Sequence, residues 1–225
     1  MNYNEIIKQG KLDEIRLAGM LPRVFAGETG IRSEVWLRDV TFRRGETVLV
    51  EAESGAGKSS MCAYIFGSRT DYEGKLLFNG IGTSALTMAA WQKIRRENLA
   101  YLPQELSLFP ELSAWENIQL KNRLTGYASD RQVEEWLDAL GVANRRDYPA
   151  GKMSIGQQQR VAIIRALCQP FDFILLDEPV SHLDEANNRI AAEIIGAEAT
   201  RQGAGIISTS VGNHLLLPYD RTLHL

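Results

Sequence analysis

Between Ala52 and Ser60 the chain reads AESGAGKSS, that is Ala52, Glu53, Ser54, Gly55, Ala56, Gly57, Lys58, Ser59 and Ser60. Glycines, a lysine and serines in that order suit the binding of a phosphate chain. Gly55 and Gly57 let successive backbone N–H groups turn inward around an anion. Lys58 has the reach for β- and γ-phosphates, and Ser59 offers a hydroxyl to Mg²⁺. The strict form of such a loop opens on glycine; here Ala52 stands there, the smallest departure available. The loop alone does not say which reaction follows, because kinases and GTPases share it.

Two other segments carry chemistry. FILLDEP (173–179) ends an apolar run on Asp177 and Glu178. By itself an acidic pair closes a strand as readily as it builds a site. With a phosphate loop upstream, Asp177 suits holding Mg²⁺ through water, and Glu178 suits taking a proton from an attacking water. In MSIGQQQR (153–160), Ser154 and Gln157 form an S-x-x-Q capping box, opening a helix with Val161, Ile164 and Cys168 inward. Capping accounts for these residues, but a capped helix start is also an anion site.

The elements that must position these groups alternate in period. VWLRDVTF (35–42) reads as a strand, RRGE as a turn and TVLVEA as a buried strand. The helix after the phosphate loop is closed by Gly67, and DYEGKLLFNG reads as an edge strand between turns. Upstream, Ile6, Ile7, Leu12 and Ile15 fit a weak helical face, and Val24 and Phe25 fit the start of a strand. From 85 to 165 the pattern is helical, as in Val133, Trp136, Leu137 and Leu140. Strand character returns in DFILLDEP, GIISTS and RTLHL, with a helix over 186–195. The expectation is an α/β fold: a three-layer P-loop core with a mostly parallel sheet and an inserted helical subdomain. Residues 35–84 and 166–225 would form the core, 85–165 the helical subdomain, and 1–34 a separate N-terminal segment.

The chain has 225 residues, is 44% hydrophobic and carries a net charge of −3, which argues against bulk nucleic acid as a main partner. No apolar run is long enough to span a bilayer, and the acidic N-terminal stretch is no signal peptide. Cys62 and Cys168 fit neither a disulfide framework nor a zinc site. A cytosolic protein is expected.

MSIGQQQR, FILLDEP, SHLD (181–184) and YLPQELSLFPELSAWENI, with Gln104, together resemble the ATP-binding subunit of ABC transporters over roughly residues 35–225. The resemblance implies ATP and Mg²⁺ as ligands. It makes Ser59, Gln104 and Asp177 the metal group and Glu178 the base, with Gln104 also sensing the helical subdomain. It implies a head-to-tail homodimer in which Ser154, Gly156 and Gln157 meet the γ-phosphate held by the other subunit, with Asp184 nearby. An aromatic upstream of the loop would stack on adenine; Phe25 is preferred over Trp36. A separate transmembrane permease would hold the subunit at the cytoplasmic face of the inner membrane. With its last strand at RTLHL, the chain is expected to lack a C-terminal regulatory domain, a compact form resembling the subunits of lipoprotein and macrolide exporters and of cell division.

Two positions break the family pattern. The first of two expected glycines after Ser154 is Ile155, a side chain that resists φ > 0 and would crowd a partner's nucleotide. Ser210 stands where the family has a histidine that contacts the γ-phosphate, so Ser210 is the candidate there. His214 falls four residues late, and His182 and His224 are expected to be structural or exposed. Slow turnover is therefore expected. Two alternatives stand beside transport: signalling to a membrane or division partner, and a nucleotide-sensing module that hardly hydrolyses.

Overall fold

The run Phe173–Asp177 is buried at every position, the property of a strand covered on both faces. It belongs to a computed structural model that describes residues 3–7 and 10–225. In chain order the elements are α1 (Tyr3–Ile6), β1 (Glu14–Pro22), β2 (Asp39–Arg43), β3 (Thr47–Glu51), α2 (Lys58–Ile65), β4 (Tyr72–Phe78) and β5 (Ile81–Gly82). There follow α3 (Met88–Glu97), β6 (Leu99–Leu102), α4 (Ala114–Asn122), α5 (Asp130–Ala139), α6 (Ile155–Leu167), β7 (Phe173–Asp177), α7 (Glu185–Gln202), β8 (Gly205–Ser210) and β9 (Arg221–His224). Five strands form a parallel sheet in the order β6-β7-β8-β3-β9. Four others form an antiparallel sheet, β2-β1-β4-β5.

Alternation along the parallel strands divides the core in two. Phe173, Leu175 and Ile207 pack toward α2, α3 and the antiparallel sheet. Ile174, Leu176 and Ile206 pack toward α4 to α7 on the other face. Each such side chain contributes roughly 1.5–3 kcal/mol by leaving water. The layers expected from the sequence are present. By the same alternation Asp177 and Thr209 face α2, while Ser210 falls on the opposite side of β8.

Four local expectations change. The segment from Glu14 is a nine-residue strand, not a helical face. Ile15 and Leu17 alternate as a strand should, but a register shift between Ala18 and Leu21 breaks the period and buries Met20 and Leu21 in succession. Val24 and Phe25 lie in a 3₁₀ turn rather than a strand. Val35 and Trp36 lie in a turn closed by Ser33, whose hydroxyl accepts both their N–H groups at 3.0 and 2.8 Å. The expected helical stretch from 85 also contains β6, which pairs with β7 as the edge of the parallel sheet. The core therefore reaches Leu102, and α4 and α5 follow it before α6. The N-terminal residues are tied to the core: Tyr3 Oη donates to Asn98 Oδ1 at 2.9 Å, and the Leu12 N–H donates to buried Asp172 at 2.9 Å.

Candidate active site

Helices α3 to α7 each begin on a side-chain cap: Thr87, Ser113, Ser129, Ser154 and Asp184. Helix α2 begins on Gly57 with no side-chain cap. Its first N–H groups are left for something else, and an anion is what they suit. Gly57 has φ 97°, and a Cβ there would come within 3.1 Å of the Trp36 ring and 3.2 Å of the Phe25 ring. Trp36 Nε1 donates to the Ala56 carbonyl at 2.9 Å and so braces the loop from behind. Gly55 also has positive φ, but Ala52 does not, so alanine there carries no left-handed strain.

Lys58 is only 4% exposed and folds back along the loop, donating to the carbonyls of Ala52 (3.0 Å) and Glu53 (2.9 Å). Its Nζ lies 3.7 Å from Glu178 Oε1. Gln104 stands between the two strand ends, its Oε1 3.4 Å from Ser59 Oγ and its Nε2 3.4 Å from Glu178 Oε2. These groups and Ser54, Gly55, Gly57 and Ser60 line a cavity of about 200 Å³. Larger hollows exist, such as one of about 520 Å³ along α7, but that one is lined mostly by small and apolar residues, with Glu193 its single charged group.

Asp177, one residue before Glu178, is buried and does not itself line the cavity. Its Oδ1 accepts from Thr209 Oγ1 at 2.8 Å, and its Oδ2 has no partner. A buried carboxylate oxygen left without a donor calls for a cation or water. With Ser59 Oγ and Gln104 Oε1 it supplies the hard oxygens Mg²⁺ takes beside substrate phosphates, so the residues fit that ion. Among the described residues no cluster of three His, Cys, Asp or Glu could hold a metal by protein ligands alone. Cys62 packs on the same side, and burial, together with the charge of Asp177, pushes its thiol up; it is a core residue, as expected.

Thr209 carries no signal in the sequence beyond its place in GIISTS. It bonds Asp177 and also accepts the Glu178 N–H at 3.2 Å. Thr209→Val keeps the shape and removes both bonds, leaving Asp177 without a fixed rotamer at a cost of about 1–3 kcal/mol. The expected result is a higher Mg²⁺ concentration for half-maximal ATP turnover, read by titrating Mg²⁺. An unchanged midpoint would remove Thr209 from the metal site.

The other sequence candidates are distributed differently. Ser154 caps α6 with the reciprocal Gln157 bond, at 3.3 and 3.1 Å. Ile155 is the first helical residue and is not among the positive-φ residues, so the expected φ conflict does not arise; its side chain is 48% exposed. Gly156 is required by packing, since a Cβ would meet the His182 carbonyl at 2.8 Å. Asp184 caps α7, and bonds from the Asn187 N–H and side chain hold its carboxyl below the usual range. None of Ser154, Gly156, Gln157 and Asp184 lines the phosphate cavity of its own chain. Ser210 is corrected more sharply. Its hydroxyl is fully buried without a partner, and it serves the loop through its carbonyl, which accepts the Ala52 N–H at 3.2 Å. His182 and His224 are exposed, and His214 sits 3.9 Å from Glu51 Oε1, outside the cavity.

A parallel sheet with a glycine loop and uncapped helix after β3, an acid pair ending β7 and an inserted helical block defines a P-loop ATPase cassette. The model of the ABC transporter family matches residues 38–181. The macrolide export ATP-binding/permease protein MacB 1 of Aeromonas hydrophila is 37% identical over 75% of this chain. The match covers 26% of that relative, so the chain spans about a quarter of its length. The lipoprotein-releasing system ATP-binding protein LolD of Novosphingobium aromaticivorans is 32% identical over 83% of this chain and 85% of its own. The dimeric structure of MJ0796, a bacterial ABC transporter cassette, matches with a TM-score of 0.74 at 27% identity, over 87% of each chain. The chain belongs to the ABC transporter family.

Proposed function

We propose that this protein is the ATP-binding subunit of an ABC transporter, hydrolysing ATP as a head-to-tail homodimer to drive a separate membrane permease. One observation carries the reading: Lys58, Ser59, Gln104 and Glu178 line one cavity, and Asp177, next to Glu178 in the chain, keeps a buried carboxylate oxygen without a partner. The loop N–H groups and the α2 start bind the phosphates, and Lys58 exchanges two backbone carbonyls for phosphate oxygens. Phe25, half-buried with its ring beside Gly57, would stack on the base. Ser59, Gln104 and Asp177 would hold Mg²⁺, which supplies charge neutralisation at the phosphates. Glu178 accepts the proton of the attacking water, and Gln104 orients that water between its amide and the carboxylate.

The capped start of α6, with exposed Ser154 and Ile155, does not line this cavity and would be the surface offered to a second subunit. That completes the site in trans, in keeping with the dimeric relative of known structure. Exposed Phe109 and Leu120 line a groove of about 430 Å³ that also reaches Tyr101 and Pro103, next to Gln104 in the chain. An apolar patch of this kind suits a protein partner, and a permease seated there would sense the Gln104 segment. No helix among the described residues is long and apolar enough to cross a membrane, so attachment at the cytoplasmic face of the inner membrane would come through that partner.

A second reading, a slowly hydrolysing nucleotide sensor, is favoured by one observation: Ser210 brings no side chain to the cavity. Ile155 bears on the same point. Ile155→Gly removes a side chain from the closing surface and should raise phosphate release several-fold, although glycine costs the helix roughly 0.5–1 kcal/mol. Steady-state phosphate release by parent and variant measures this. A fast parent slowed by Ile155→Gly would mean that isoleucine is part of the working interface. Phosphate release at the background rate, under conditions where ATP binds, would favour the sensor over the transporter subunit.

A further inference from the structure

Glu178 has φ 51°, one of five non-glycine residues at positive φ among those described. That conformation is sterically disfavoured for an L-residue and persists only where neighbours hold it. Side chains from two different elements hold the two sides of Glu178. Its N–H is taken by Thr209 of β8. Its carbonyl accepts from Gln159 Nε2 of α6 at 3.2 Å, with the Ser181 N–H on the same oxygen at 3.4 Å.

Gln159 is 1% exposed, and every bond its side chain makes goes to the loop after β7. The same Nε2 lies 3.3 Å from Ser181 Oγ, and Oε1 accepts the His182 N–H at 3.0 Å. An apolar residue would fill the space with less desolvation, so the amide is there for what it holds. It sits just past the capped start of α6, where a Cβ on Gly156 would meet the His182 carbonyl at 2.8 Å. The helix start and the loop carrying Glu178 are therefore packed and bonded to each other.

We infer that Gln159 is a positioning residue for water activation: it fixes the backbone of Glu178, aims the carboxylate and couples that aim to the place of α6. The inference rests on Glu178 being the base. Gln159→Leu removes all three contacts at similar volume; Gln159→Glu keeps an acceptor for His182 and loses the donor to Glu178. Both should lower kcat about tenfold or more, since small misplacements of a reacting group are costly, while ATP affinity stays within about twofold. On a Glu178→Gln background, Gln159→Leu should cost nothing further. Should the leucine variant lose its thermal transition, the glutamate variant is read in its place. An unchanged kcat, affinity falling in step with kcat, or a full additional loss on the Glu178→Gln background would each overturn the inference. If Glu178→Gln turns over like the parent, the base assignment itself has failed. If Glu178→Gln is slow and Gln159→Leu is fast, only the clamp has.

Discussion

Lys58→Ala should weaken MgATP binding by about tenfold to a hundredfold. A hydrogen bond from a charged donor is worth about 1.5–3 kcal/mol, and each 1.4 kcal/mol is a factor of ten in affinity. The position of the ammonium supports the larger end. Lys58 is almost fully buried, already desolvated and held by two carbonyls in the loop, so little order remains to be lost when phosphate arrives. The loop N–H groups and the uncapped α2 start remain in the variant, which is why binding should weaken rather than vanish. Calorimetry on parent and variant reads the difference. Equal affinities would place the phosphates elsewhere.

Glu178→Gln should lower phosphate release by a factor on the order of a hundred to ten thousand, the range of a lost general base. Glutamine keeps the side-chain shape and the approach to Gln104, but it accepts no proton at neutral pH. ATP affinity should hold or improve, because the carboxylate faces the γ-phosphate region and its negative charge goes with the substitution. Single-turnover measurements separate the two effects. A variant that hydrolyses at the parent rate would leave the strained backbone at 178 without a chemical purpose.

The phosphate loop and the acid pair were legible because their chemistry demands particular residue types at fixed places, whatever the fold around them. Thr209 was not, because its role depends on β8 lying beside β7 in register with Asp177. No local pattern states that adjacency. Ser210 shows the complementary error. The family pattern assigned it to the phosphate, while strand alternation turns it to the opposite side of β8, and which parity faces α2 emerges only once the sheet is assembled. β1 was hidden by the irregularity after Ala18, and β6 by its brevity within a helical stretch. Ile155 was read as strained from a family pattern, yet the helix begins on it with ordinary backbone. Gln159 lay in plain view in MSIGQQQR, where a buried glutamine and a solvated one look alike.

The central claim is that two copies close on ATP, each offering its α6 start to the other's phosphates. Light scattering of the Glu178→Gln protein with and without MgATP tests it most directly. A monomer is expected without nucleotide and a dimer of twice the mass with saturating MgATP, and adding Lys58→Ala should move that shift to about tenfold to a hundredfold higher MgATP. A Glu178→Gln protein that binds MgATP yet keeps the monomer mass would contradict it.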